Sequence, residues 1–149
     1  MKRIVIATDG SGAAEEAVEM GLELAKEQGA RVWLVHVQPP LLAVGSYAAM
    51  PVLIEPEQRP TVEEDEVLQR AAALAAERGI EAELVERVGQ TADEIVAVAD
   101  EVEADLIVVG SRGLGAVGRL ILGTVSYGVL RQSRRPVLVV RAAKAPVQS

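Results

Sequence analysis

The residues best placed to do chemistry lie in the run Gly110-Ser-Arg-Gly113-Leu-Gly-Ala-Val-Gly-Arg-Leu-Ile-Leu-Gly123, closed by Thr124. This glycine-punctuated loop leaves an apolar strand-like stretch, Leu106-Ile107-Val108-Val109, and enters a helix-like one. Glycine reaches positive φ without steric cost and exposes bare backbone N–H groups, while the following helix points the positive end of its dipole at the same spot. The chemistry implied is the holding of an anion, phosphate above all. A flexible connection that holds nothing would carry the same glycines, so the loop needs support from elsewhere in the chain.

Two familiar phosphate motifs do not apply. Gly113-Leu-Gly115-Ala-Val-Gly118 has the form G-x-G-x-x-G, but that fingerprint begins at the end of its strand, opens a helix, and meets an acidic residue at the end of the next strand. Here the next strand ends in Val140-Arg141. No G-x-x-x-x-G-K-[ST] occurs, which excludes a P-loop nucleotidase.

The elements that must position the loop are legible from periodicity. Ile4-Val5-Ile6-Ala7, Leu106-Ile107-Val108-Val109 and Val137-Leu138-Val139-Val140 are apolar on both faces, as parallel strands between helices require. Ala14, Ala17, Val18, Gly21, Leu24 and Ala25 follow helical spacing, as do Ile95, Val98, Ala99 and Val102. Thr61-x-x-Glu64 and Thr91-x-x-Glu94 have the form of capping boxes that start the second and third helices, and Gly29 and Gly79 stand where helices should stop. The predicted fold is α/β: a single-domain, doubly wound, five-stranded parallel sheet over residues 1–149, strand order 3-2-1-4-5, helices on both faces, Rossmann-like.

In that order the first and fourth strands are neighbours at the switch point, where such sheets bind ligands beyond the strands' carboxyl ends. Thr8-Asp9-Gly10-Ser11 and the glycine loop should therefore converge, which makes Asp9 a candidate site residue. The polar alternation of Glu81 to Val88 suits an exposed edge. The last strand is the opposite edge and is apolar throughout, so either helices cover both its faces or it pairs with its copy in a homodimer. Gln38 to Pro60 holds five of the seven prolines and no clear periodicity, and fits a lid or a mobile insertion equally.

Composition narrows the function. Zero cysteines and one histidine, His36, exclude thiolate chemistry, disulfides and multi-histidine metal sites within the chain. A net charge of −7 and 2% aromatics argue against nucleic acid as a partner. No apolar run is long enough for a membrane span, and Met1-Lys2-Arg3-Ile4 enters a strand, so a cytoplasmic location is expected. His36 fits a satisfied core residue better than a proton carrier, and Arg112 and Arg119 suit either phosphate or solvent.

Gly110-x2-Gly113-x9-Gly123-Thr124 resembles the nucleotide-binding signature of the universal stress protein family, in its ATP-binding branch. Ile4-Val5-Ile6-Ala7-Thr8-Asp9-Gly10-Ser11, His36-Val37 and Pro136-Val137-Leu138-Val139-Val140-Arg141 resemble the same family, so the likeness covers nearly the whole chain. The resemblance implies ATP as ligand, with Mg or Mn accompanying the phosphates. It implies Asp9 at the ribose or the metal, Val37 at adenine, and Gly110, Gly113, Gly123 and Thr124 around the phosphates, with Ser126 adding a hydroxyl. Ala14, where the family often has serine, and Gly128, where it usually has another residue, depart from the pattern without removing a phosphate donor.

The expected function is thus a nucleotide-dependent stress-response or signalling module whose output is occupancy. Apart from Asp9 no carboxylate is placed to activate water, so hydrolysis, if any, should be slow. The alternatives are a slow ATPase and a dimeric scaffold independent of nucleotide.

Overall fold

Residues 4–7, 106–110 and 137–140 are apolar at consecutive positions, and such strands reach a buried state only when both faces of their sheet are covered. The computed structural model describes residues 1–38, 42–44, 51–53, 61–111 and 123–141 and shows how this is met. Strands β1 (Arg3–Ala7), β2 (Arg31–Gln38), β5 (Glu83–Val88), β6 (Leu106–Gly110) and β7 (Val137–Val140) form one parallel sheet in the order β5-β2-β1-β6-β7. This is the expected 3-2-1-4-5 order of its five strands. Between β2 and β5 in the chain, β3 (Leu42–Val44) and β4 (Pro51–Leu53) pair antiparallel, a short ladder that the aperiodic, proline-rich sequence did not announce.

Side chains of the central strands divide strictly by parity. Ile4, Ile6, Leu34 and Val108 pack under α1 (Gly12–Gln28) and α2 (Glu66–Glu77). Val5, Val35, Val37 and Ile107 pack under α3 (Thr91–Glu101) and α4 (Thr124–Gln132). On α1 the buried stripe contains Leu22, while the predicted Leu24 is only partly buried. Leu22 lies one position past Gly21, and the two share the α1 face over Ile6, so the apolar arc is wider than the predicted stripe.

The helix starts differ from the capping boxes expected of them. Thr61 precedes a single 3-10 turn, Val62–Glu64, and its hydroxyl donates to Glu64 Oε1 at 3.2 Å. The true N-cap of α2 is Asp65, whose carboxylate accepts from the Leu68 N–H at 3.1 Å. At α3 the cap position belongs to Gln90, and Thr91 is the first helical residue. Gly29 ends α1 in the left-handed region (φ 64), and Gly79 (φ 72) follows the last turn of α2, both as expected.

Gly128 has a packing reason. A Cβ at that position would stand 2.7 Å from Ala92 Cβ, so its absence lets α4 lie close against α3. Gly128→Ala gains about 1 kcal/mol of helix propensity but collides with a rigid methyl group in a close-packed seam, where overpacking costs about 1–3 kcal/mol. The expected net result is a loss of about 1 kcal/mol in urea denaturation, relieved by adding Ala92→Gly. A gain of stability in the single variant would refute the close approach.

Candidate functional site

β1 and β6 are neighbours, in register at Ile4↔Leu106, Val5↔Ile107 and Ile6↔Val108, yet the chain leaves them toward opposite faces, into α1 from β1 and toward α4 from β6. The divergence opens a cleft of about 390 Å³ at their carboxyl ends. Three helices, α1, α3 and α4, direct their amino-terminal ends to its wall through Ala13, Thr91 and Thr124.

The loop after β1 is shaped by its own polar groups. Asp9 Oδ1 accepts from the Ser11 N–H at 2.9 Å, Thr8 Oγ1 accepts from the Gly10 N–H at 3.2 Å, and Gly10 takes φ 81. Ser11 caps α1 by accepting from the Ala14 N–H at 3.2 Å. Asp9 is held at the cleft mouth, exposed and on the wall.

On the other side, Gly110 is the point where β6 passes α1. A Cβ there would lie 2.7 Å from the Ala13 carbonyl oxygen, so any side chain would push the strand end off the helix backbone. Gly123 occupies the N-cap of α4 with extended backbone (φ −66, ψ 157) and offers no side chain to the helix's free N–H groups. The buried Ser126 hydroxyl donates to the Gly123 carbonyl at 3.0 Å and fixes this turn.

Of the residues singled out from sequence, the structure brings Asp9, Gly110, Gly123, Thr124 and Ser126 to one cleft. Gly113, Arg112 and Arg119 lie outside the described residues. Val37 is not on the described wall. Its side chain is buried beneath α3 in the cluster that contains Ile95, because strand alternation turns it to that face.

Sequence reasoning missed Ser111, Thr91 and Ile95 on the wall. Ser111 is 2% exposed, and its Oγ has no hydrogen-bond partner among the described residues. Its position directly after Gly110, at the strand's end, was the available signal. Thr91 and Ile95 carried none, because their approach depends on how α3 lies across the sheet. Among the described residues no group of three His, Asp or Glu side chains is arranged to hold a metal ion.

His36 is engaged elsewhere, on the α2 face of β2. Its Nδ1 lies 2.7 Å from Asp65 Oδ2. Burial pushes the Asp65 carboxyl upward, but the hydrogen bond from His36, the Leu68 N–H, the His36 charge and a hydrogen bond from Glu86 outweigh it and hold the group below its ordinary 3.8. One carboxylate thus joins β2 to the start of α2.

This cleft, set at the switch point of a doubly wound sheet, defines a small α/β domain built around one ligand-sized site. The model of the universal stress protein family matches residues 1–141, and the chain belongs to that family. It is 35% identical over 145 residues to universal stress protein YxiE of Bacillus subtilis, covering 93% of this chain and 98% of that one. Among solved structures, a universal stress protein in complex with cAMP superposes with a TM-score of 0.71 at 30% identity, covering 95% of this chain and 98% of that one. The universal stress protein from Archaeoglobus fulgidus in complex with dAMP superposes with a TM-score of 0.70 at 28% identity, with the same coverage of 95% and 98%.

Asp65→Ala is expected to cost about 2 kcal/mol at neutral pH, from the lost cap and the unpaired imidazole. Asp65→Asn keeps a cap but not the charge. Because the folded carboxyl titrates below 3.8, its contribution is complete above that value and is lost as pH falls through the lowered folded value. Urea denaturation at pH 7, 5 and 3 should therefore show the parent and Asp65→Asn converging only at the acid end. Convergence on the alkaline side would contradict the assignment.

Proposed function

We propose that the cleft binds an adenine nucleotide, ATP with Mg or Mn accompanying its phosphates, and that the protein is a cytoplasmic stress-response module whose output is occupancy. The observation that carries this is the buried Ser111 hydroxyl, which faces a cleft of about 390 Å³ with no partner among the described residues. A buried hydroxyl without a partner costs about 1–3 kcal/mol, so a polar ligand is its natural complement. The relatives whose complexes contain cAMP and dAMP support an adenine nucleotide as that ligand.

The donor set suits the group. The free N–H groups of α4, left uncapped by Gly123, and the Thr124 hydroxyl would hold phosphate oxygens, with Gly110 and Gly113 letting backbone come close. Ser126 would act indirectly, by fixing the Gly123 turn. Asp9 would meet ribose hydroxyls or share a cation with the phosphates, which must supply most of its oxygens. Val37, whose side chain is buried beneath α3, would border the adenine through its backbone at the end of β2.

Binding is favoured over turnover by the acid content of the site. Asp9 is the one carboxylate on the described wall, and one of its oxygens already accepts from Ser11. A general base needs a free oxygen aimed at water. Calorimetric titration with ATP and magnesium should show one site in the parent and none in Gly123→Val, whose extended backbone tolerates valine while the side chain fills the cradle. Release of ADP should stay well under about 1 per second. Binding by both proteins, or turnover in the ordinary enzyme range, would overturn the proposal.

A homodimer through β7 is part of the same proposal. Val137, Leu138 and Val139 are only partly buried at the sheet edge, and Tyr127 and Leu130 of the adjacent α4 are exposed. An apolar edge beside an apolar helix surface suits a second copy of the chain. Light scattering should give twice the chain mass, and Val139→Pro should shift it toward the monomer. A monomeric parent at micromolar concentration would exclude it.

A further inference from the structure

Six hydroxyls stand on the described wall of the cleft, those of Thr8, Ser11, Thr91, Ser111, Thr124 and Ser126. Three are engaged by their own backbone: Thr8 with the Gly10 N–H, Ser11 with the Ala14 N–H, and Ser126 with the Gly123 carbonyl. The side-chain hydroxyls of Thr91, Ser111 and Thr124 make no hydrogen bond among the described residues. Thr91 is in this group because the helix begins one residue earlier than its sequence suggests. With Gln90 at the N-cap, the Thr91 hydroxyl makes no cap bond and sits on the cleft wall.

α3 lies over β1 and β2 and α4 over β7, so the two helix starts stand on either side of the switch point, and they differ in charge. The first turn of α3 carries Asp93 and Glu94, whereas the first turn of α4 carries no acid. An anion is drawn to the free N–H groups of α4 and repelled from the acidic start of α3. A ligand with one anionic and one neutral end therefore lies with its charge toward Thr124 and its neutral part toward Thr91. On the α3 side Ile95, one turn into the helix, and Ala7 at the end of β1 provide an apolar surface for a flat base.

On the proposed nucleotide function, we infer that Thr91 is a specificity-determining residue, its hydroxyl hydrogen-bonding the polar edge of the base while Ile95 packs against the ring. A threonine hydroxyl can donate or accept, so it can settle on the edge of one base and be mismatched to another. α3 also lies over β2, so the expected place of Val37 beside adenine falls on the same side.

The test is titration of ATP, GTP and AMP into the parent, Thr91→Val and Thr91→Ser. Valine keeps the shape and removes the hydroxyl, while serine keeps the hydroxyl. Thr91→Val should bind ATP about three- to tenfold more weakly and lose most of the parent's preference for ATP over GTP, the effect of one neutral hydrogen bond. Its ratio of ATP to AMP affinity should match the parent's, because the phosphate end is untouched, and Thr91→Ser should restore both affinity and base preference. If the parent binds ATP and Thr91→Val does so equally well, or if its changed ratio is ATP to AMP, the inference is overturned while the nucleotide function stands. A parent that binds none of the three overturns both.

Discussion

The pairing of β1 with β6 is the constraint on which the rest of the molecule depends. Both strands are apolar at consecutive positions, and their central residues Val5, Ile6, Ile107 and Val108 are wholly buried. That burial requires helices on both faces, and the chain supplies them by leaving the two strands in opposite directions. The loops must then separate at the strand ends. The cleft is the space this separation leaves, and the helices that cover the sheet necessarily begin around it.

Glycine ties the site to the scaffold. Gly110 belongs to the signature from which phosphate contact is expected, but in the folded chain its first consequence is that β6 can pass within contact of the α1 backbone at Ala13. Gly21 does the same deeper in the sheet, where a Cβ would stand 2.6 Å from Ile6 Cδ1, and Gly128 does it between α3 and α4. Close approach of the covering helices sets the width of the cleft. A glycine selected for packing and one selected for a ligand need not be different residues.

The polar groups of the site sort by the company they keep. Hydroxyls that stabilise a turn or a cap are already engaged, and those left over lie where a ligand can reach them. Asp65 shows the opposite outcome for a buried polar group: its carboxylate meets His36 and the Leu68 N–H, and is consumed in holding α2 against β2. The only histidine in the sequence is thereby withdrawn from the cleft.

The sequence by itself determined the sheet, its strand order and the end of it where the cleft opens, because these follow from patterns local in the chain: apolar runs, helical spacing and glycine position. It also marked Asp9, Gly110, Gly123, Thr124 and Ser126, which sit on the two loops of the switch point. What it left open depends on contacts between residues far apart. The β3–β4 ladder lies in a stretch whose prolines hide any strand pattern. The caps at Asp65 and Gln90 were displaced from the threonines that mimic them, since a helix start is decided by which backbone N–H groups tertiary packing leaves free. Thr91 and Ile95 reached the cleft only through the lie of α3 across the sheet, and Val37 was turned into the core by the alternation of β2. Local spacing can place a residue on an element, but only the packing of elements decides what that residue faces.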